Sequence, residues 1–135
     1  MGEKGPRYDP TMLAIVANLS DQDIADLATF YAGQTQTLGK AKEEYVALGQ
    51  KIYRGGDVKT EITACIACHG PEGKGNEAAK FPRLAGQHAQ SIENALLAFR
   101  EGKRTNSPND MMGTISHHMN DQEIKAVSSY IEGLR

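Results

Sequence analysis

The sequence predicts an all-α chain, and three observations predict it. Apolar residues recur at helical spacing in four segments, each closed by glycine. No strand-period alternation of any length appears. Two of the four segments open on the same kind of capping sequence, Ser20-Asp21-Gln22-Asp23 and Asn120-Asp121-Gln122-Glu123, with acidic residues where a helix N-terminus favours them.

Taken in order, residues 1–11 are punctuated by Gly and Pro and read as loop. A helix follows over about 20–32, with Ile24, Leu27, Ala28 and Tyr31 on one stripe and Gly33 as its stop. Residues 34–40 are a polar linker. Ala41 to Arg54 reads as a helix ended by Gly55-Gly56, with Leu48, Ile52 and Tyr53 inward; Gly49 inside it marks a close approach by another helix. Gly70 to Lys80 is a Gly- and Glu-rich loop. Phe81 to Gly86 is extended, because the residue before a proline is pushed out of helix. Gln87 to Glu101 forms a helix with Ile92, Ala95, Leu96 and Phe99 inward, stopped by Gly102; residues 103–110 form a polar loop. The last helix starts at Asn120, continues through Ile124, Val127 and Tyr130, and closes at Gly133.

The two capped helices belong to an internal repeat that aligns without gaps. Met12 falls on Met112, Ile15 on Ile115, Ile24 on Ile124, Phe30 on Tyr130 and Gly33 on Gly133. Only the second copy has chemistry upstream of it, Cys65-Ile-Ala-Cys68-His69-Gly70. Two thiols three positions apart with a histidine directly after the second form the attachment signature of a c-type haem. Each sulfur can add to one haem vinyl group, and the imidazole then lies under the iron as proximal ligand. A redox disulfide would want a βαβ context. Structural zinc would want four ligands, yet there is no third cysteine, and His88, His117 and His118 lack finger spacing.

Bulk properties agree. The 135 residues suit one small domain or one domain plus an extension. Hydrophobic content is 39% with no tryptophan, so a haem would supply much of the missing apolar core. The net charge of −2 sits in the first 40 residues, where Lys4, Arg7 and Lys40 face Glu3, Asp9, Asp21, Asp23 and Asp26. That balance excludes a nucleic-acid or anionic-membrane footprint. No apolar run reaches membrane-spanning length, and no signal peptide is present in this chain, so one removed on export is the expectation.

The iron's second axial position has six candidates: Met111, Met112, Met119, His88, His117 and His118. Met119 falls on Leu19 and reads as core, and the three histidines read as surface. Met111 and Met112 follow a polar loop, where a thioether is presented without helical constraint. The repeat favours Met112, whose counterpart Met12 is retained, with Met111 as runner-up.

These residues, with Pro82-Arg83-Leu84-Ala85-Gly86-Gln87-His88, Phe99-Arg100-Glu101-Gly102, Asn109-Asp110-Met111-Met112 and Ser128-Ser129-Tyr130-Ile131, resemble the class I cytochromes c. Most closely they resemble the C-terminal haem domain of cytochrome c4, a dihaem periplasmic electron carrier. The resemblance implies a class I fold, about three main helices around one covalent haem c, over 41–135, with an extra N-terminal helix in a 1–40 extension. It implies Cys65 and Cys68 as thioether anchors and His69 and Met112 as axial ligands. It makes Pro82 the residue whose carbonyl orients His69, and puts Arg83 near a haem propionate. Gly49 and Tyr53 would sit where the first helix crosses the last near Tyr130. It also implies periplasmic one-electron transfer, cycling Fe(III)/Fe(II). A terminal oxidase or bc1-type complex would be the partner, with room for peripheral membrane association; the oligomeric state is left open.

The chain departs from a dihaem pattern in having one Cys-x-x-Cys-His. Residues 1–40 are then a remnant of a first domain, a natural extension, or half of a domain completed by another chain, with Met12 expected as inert packing. Two other functions remain alternatives: a peroxidase-like or gas-binding haem with a labile distal site, and an electron-transfer subunit of a larger oxidoreductase.

Overall fold

The architecture follows from where the capped helices can bury their stripes. The computed structural model describes residues 8–135; the first seven positions of the expected 1–11 loop lie outside that range. The chain divides into two compact units, one ending at Gln36 and the other spanning Thr37–Arg135.

The first unit contains α1 (Pro10–Val16) and α2 (Asp21–Ala32). The α1 helix was not expected. Asp9 caps it by accepting the Met12 N–H, and Pro10 takes the first helical position, where the missing N–H costs nothing. The expected capping box opens α2, with Ser20 and Asp23 each bonding the other's backbone N–H. No residue of either helix is buried, and Met12, expected as inert packing, is 41% exposed.

The second unit contains α3 (Glu43–Gly55), the single turn α4 (Ile66–His69), α5 (Ala89–Arg100), α6 (Met111–His117) and α7 (Asp121–Glu132). Among the described residues only two isolated β-bridges occur, Asp57 with Ile62 and Asn76 with Phe81. The frame is α3 against α7, with α5 against α6 and α7. Its core joins Ile52 and Tyr53 of α3, Ile92 and Leu96 of α5, Met119, and Ile124, Val127 and Ile131 of α7. Met119 is thus core, as the repeat implied.

Gly49 explains how closely α3 and α7 cross. A Cβ there would collide with the Ala126 carbonyl and come within 2.5 Å of Tyr130 Cβ. Tyr53 and Tyr130 rings meet at 5.6 Å across the same crossing. The start of α3 has no side-chain cap; instead the Lys42 N–H donates to Ser129 Oγ of α7 at 2.9 Å. At the other end of the frame, Arg100 donates to the Met119 carbonyl at 3.0 Å and to Asp121 at 2.6 Å, tying the end of α5 to the start of α7.

Candidate functional site

Cys65, Cys68 and His69 lie on or beside the α4 turn, where the His69 N–H donates to the Cys65 carbonyl at 2.9 Å. Three glycines shape the loop that follows. Gly70, Gly73 and Gly75 all have left-handed φ, at 79°, 66° and 73°, which other L-residues adopt poorly. The Gly75 N–H donates to the His69 carbonyl at 2.9 Å. Its missing Cβ also makes room for the backbone of residues 81–83. The Gly73 carbonyl accepts from both Leu84 N–H at 2.8 Å and Ala85 N–H at 3.0 Å. The extended 81–86 segment is therefore laced back onto the motif, which brings the Pro82 carbonyl to the histidine.

His69 is 6% exposed, and its Nδ1 lies 2.8 Å from the Pro82 carbonyl. A carbonyl only accepts, so Nδ1 carries the hydrogen and Nε2 keeps its lone pair. Burial holds the His69 pKa below its ordinary value, with the Pro82 bond acting the other way. The ring is neutral at neutral pH, the form that can bind a metal. Burial likewise pushes the Cys65 thiol up to about 11, so it is a protonated thiol at neutral pH.

Tyr53, fully buried, donates its hydroxyl to the Gly70 carbonyl at 2.6 Å and so pins the motif's last residue to α3. Sequence reasoning missed this bond, because nothing local marks it. Burial raises the Tyr53 pKa to about 12. A raised phenol pKa stabilises the fold fully below the unfolded value near 10, and that contribution fades as pH rises from 10 to 12. Tyr53→Phe should cost about 1 kcal/mol at neutral pH. The gap in melting temperature between it and the parent should then narrow above pH 10; a gap constant to pH 12 contradicts this.

Met111 and Met112 are both half-buried, but Met112 packs against the core cluster, as do Cys65, Ile66 and Leu84. The two methionines do not sit in an unconstrained loop as expected. They open α6, after a 3₁₀ turn at Pro108–Asp110 in which Asn109 and Asp110 take left-handed φ of 52° and 51°. Asn and Asp are the residues that tolerate this best, which is why the loop can turn there. Arg83 is exposed, and its Nε–H donates to the Ala85 carbonyl at 3.1 Å. His88 is exposed beside Glu132 at 3.4 Å; His117 is exposed and His118 half-buried. The two lie edge-to-face at 6.0 Å on the wall of a cavity of about 460 Å³ between the end of α5 and α6.

The donor set fits a covalent haem better than a bare metal. Two thiols and a neutral imidazole share one turn, and half-buried apolar side chains beside them are suited to a flat hydrophobic macrocycle. Among the described residues no group of three or more His, Cys, Asp or Glu is arranged to hold a metal ion.

Known proteins are similar in the same places. The cytochrome c family profile matches residues 46–135. The chain is 45% identical over 124 residues to cytochrome c4 of Azotobacter vinelandii, covering 91% of this chain and 59% of that one. It is 40% identical over 130 residues to a thiosulfate dehydrogenase electron acceptor of Stutzerimonas stutzeri strain A1501, covering 93% and 59%. The crystal structure of reduced recombinant cytochrome c4 from Pseudomonas stutzeri superposes with a TM-score of 0.90 at 38% identity, covering 99% of this chain and 71% of that one. The chain spans less than two thirds of the length of those two sequence relatives.

Proposed function

The chain belongs to the cytochrome c family, and from that premise we propose that its 41–135 domain holds one haem c and carries single electrons between redox proteins in the periplasm. The observation that carries this reading is the His69–Pro82 hydrogen bond, which leaves the Nε2 lone pair available on the same turn as two thiols. Cys65 and Cys68 would anchor the haem, and His69 would be the proximal ligand, with its ring orientation set by Pro82. Met112 would be the distal ligand, supported by its packing against the same core cluster that Leu84 and Cys65 pack against. When bound, the haem supplies a one-electron Fe(III)/Fe(II) couple whose potential a His/Met pair raises.

The protein's own part is to hold both ligands through the redox change and keep water away. Tyr53, Gly73 and Gly75 fix the proximal side through backbone carbonyls, and the apolar side chains of Leu84 and Ile66 exclude solvent. The division of the chain after Gln36 supports treating residues 1–40 as an extension separate from this domain. Terminal oxidases and bc1-type complexes are the proposed partners. The likeness to a thiosulfate dehydrogenase electron acceptor adds that enzyme class as a donor. Among the described residues no helix is long and apolar enough to cross a membrane.

An equilibrium redox titration followed by absorbance tests the carrier reading. It should give a reversible one-electron transition, with no spectral change when carbon monoxide is added to the reduced protein. Carbon monoxide binding in the untreated protein would favour the gas-binding or peroxidase-like alternative instead.

A further inference from the structure

The segment that presents Met112 is held by two serines. The Met112 N–H donates to Ser107 Oγ at 3.0 Å, and Ser116 Oγ–H donates to the Met112 carbonyl at 2.6 Å. The Ser116 bond alone would be ordinary, since a helical serine commonly bonds the carbonyl four residues back. Ser107 is different. It lies outside α6, five residues before Met112, and does what the helix's own N-cap does not. Asp110 occupies the cap position in a left-handed conformation and makes no capping bond. The Ser107 hydroxyl therefore closes a loop containing two consecutive left-handed non-glycine residues, a conformation that persists only when its surroundings enforce it. The cavity beside it, lined by Ser107, Asp110 and Gly113 among others, gives that loop space to relax into.

We propose that Ser107 is a positioning residue for the distal ligand: its hydroxyl bond to the Met112 backbone keeps the Met112 thioether on the iron. The inference rests on the reading of Met112 as that ligand. Without the Ser107 oxygen, the Met112 N–H loses its acceptor and the loop loses its closure, so the methionine leaves the metal more often. An external ligand then competes better for the vacated position.

The test is the affinity of the oxidised holoprotein for imidazole, measured by absorbance, for the parent and for Ser107→Ala, Ser107→Thr and Met112→Ala. Losing one such hydrogen bond should tighten imidazole binding about tenfold in Ser107→Ala. Ser107→Thr keeps the oxygen and has cavity space for its methyl, so it should bind like the parent; that rescue is not expected of a merely destabilised fold. If Ser107→Ala does not accumulate as holoprotein, Ser107→Cys, with its much weaker acceptor, takes its place with the same expectation. Parent-like affinity in the serine variants together with much tighter binding in Met112→Ala overturns the inference and leaves the ligand assignment standing. Parent-like affinity in Met112→Ala overturns the assignment, and the inference with it.

Discussion

Gly49→Ala should lower the melting temperature of the Thr37–Arg135 unit by roughly 8–16 °C, about 2 kcal/mol for a unit of this size. Two effects oppose each other. Alanine is the better helix former by about 1 kcal/mol. Against that, the new methyl meets the Ala126 carbonyl and Tyr130 Cβ of α7. A backbone carbonyl in the middle of a helix cannot turn aside as a flexible side chain would, so α3 and α7 must separate. Overpacking of this kind costs about 3 kcal/mol at the upper end of its range, and the clash wins. The same separation would loosen the Tyr53–Tyr130 contact and the Lys42–Ser129 bond at the two sides of the crossing. Gly55 at the end of the same helix is the control. A Cβ there meets nothing within 4 Å, so Gly55→Ala should leave the melting temperature unchanged or slightly raised. Equal effects at the two positions, read by calorimetry, would remove close helix approach as the reason for Gly49.

Met112→Ala should abolish the weak long-wavelength methionine-to-ferric-iron band and lower the reduction potential by a sizeable part of the about 0.8 V that axial ligands span. The thioether is a soft ligand that favours the ferrous state, and alanine offers nothing in its place. Met111→Ala should keep the band and stay near the parent potential. Met111 is half-buried as well, but it is Met112 that packs against the core cluster, as Cys65 and Leu84 do. Voltammetry and the oxidised spectrum of both variants decide between them. Loss of the band in Met111→Ala with retention in Met112→Ala reverses the assignment.

Much of this was legible in the sequence where a signal is local. The capping boxes fixed the starts of α2 and α7 because both halves of each box lie within four residues. Gly56 and Gly102 stop or follow helices with the left-handed φ that their residue type allows. The short helices were less legible. α1 and α6 have seven residues each, too few for a period to show. Asp9-Pro10 did carry a start signal for α1, inside a stretch that its Gly and Pro content marked as loop. For α6, the start depends on the left-handed pair Asn109-Asp110 and on a cap borrowed from Ser107, neither of which a periodicity argument can see. Contacts between distant residues were the least legible. Tyr53 to Gly70 and Lys42 to Ser129 join side chain to backbone across the fold. The His69–Pro82 bond was legible only through family resemblance, since its geometry depends on how Gly73 and Gly75 lace the intervening loop. Arg83, placed near a propionate by that resemblance, has the Ala85 carbonyl as the acceptor for its Nε–H, a bond two residues away that no periodicity marks.

The central claim is a single covalent haem with His69 and Met112 as axial ligands, and the visible absorption spectrum of the matured protein, oxidised and then reduced, tests it most directly. The account predicts a low-spin c-type spectrum in both states, with the methionine-to-iron band in the oxidised one and no change on adding cyanide at low concentration. A high-spin oxidised spectrum that responds at once to cyanide would contradict the ligation, and matured protein with no haem absorption would contradict the whole account.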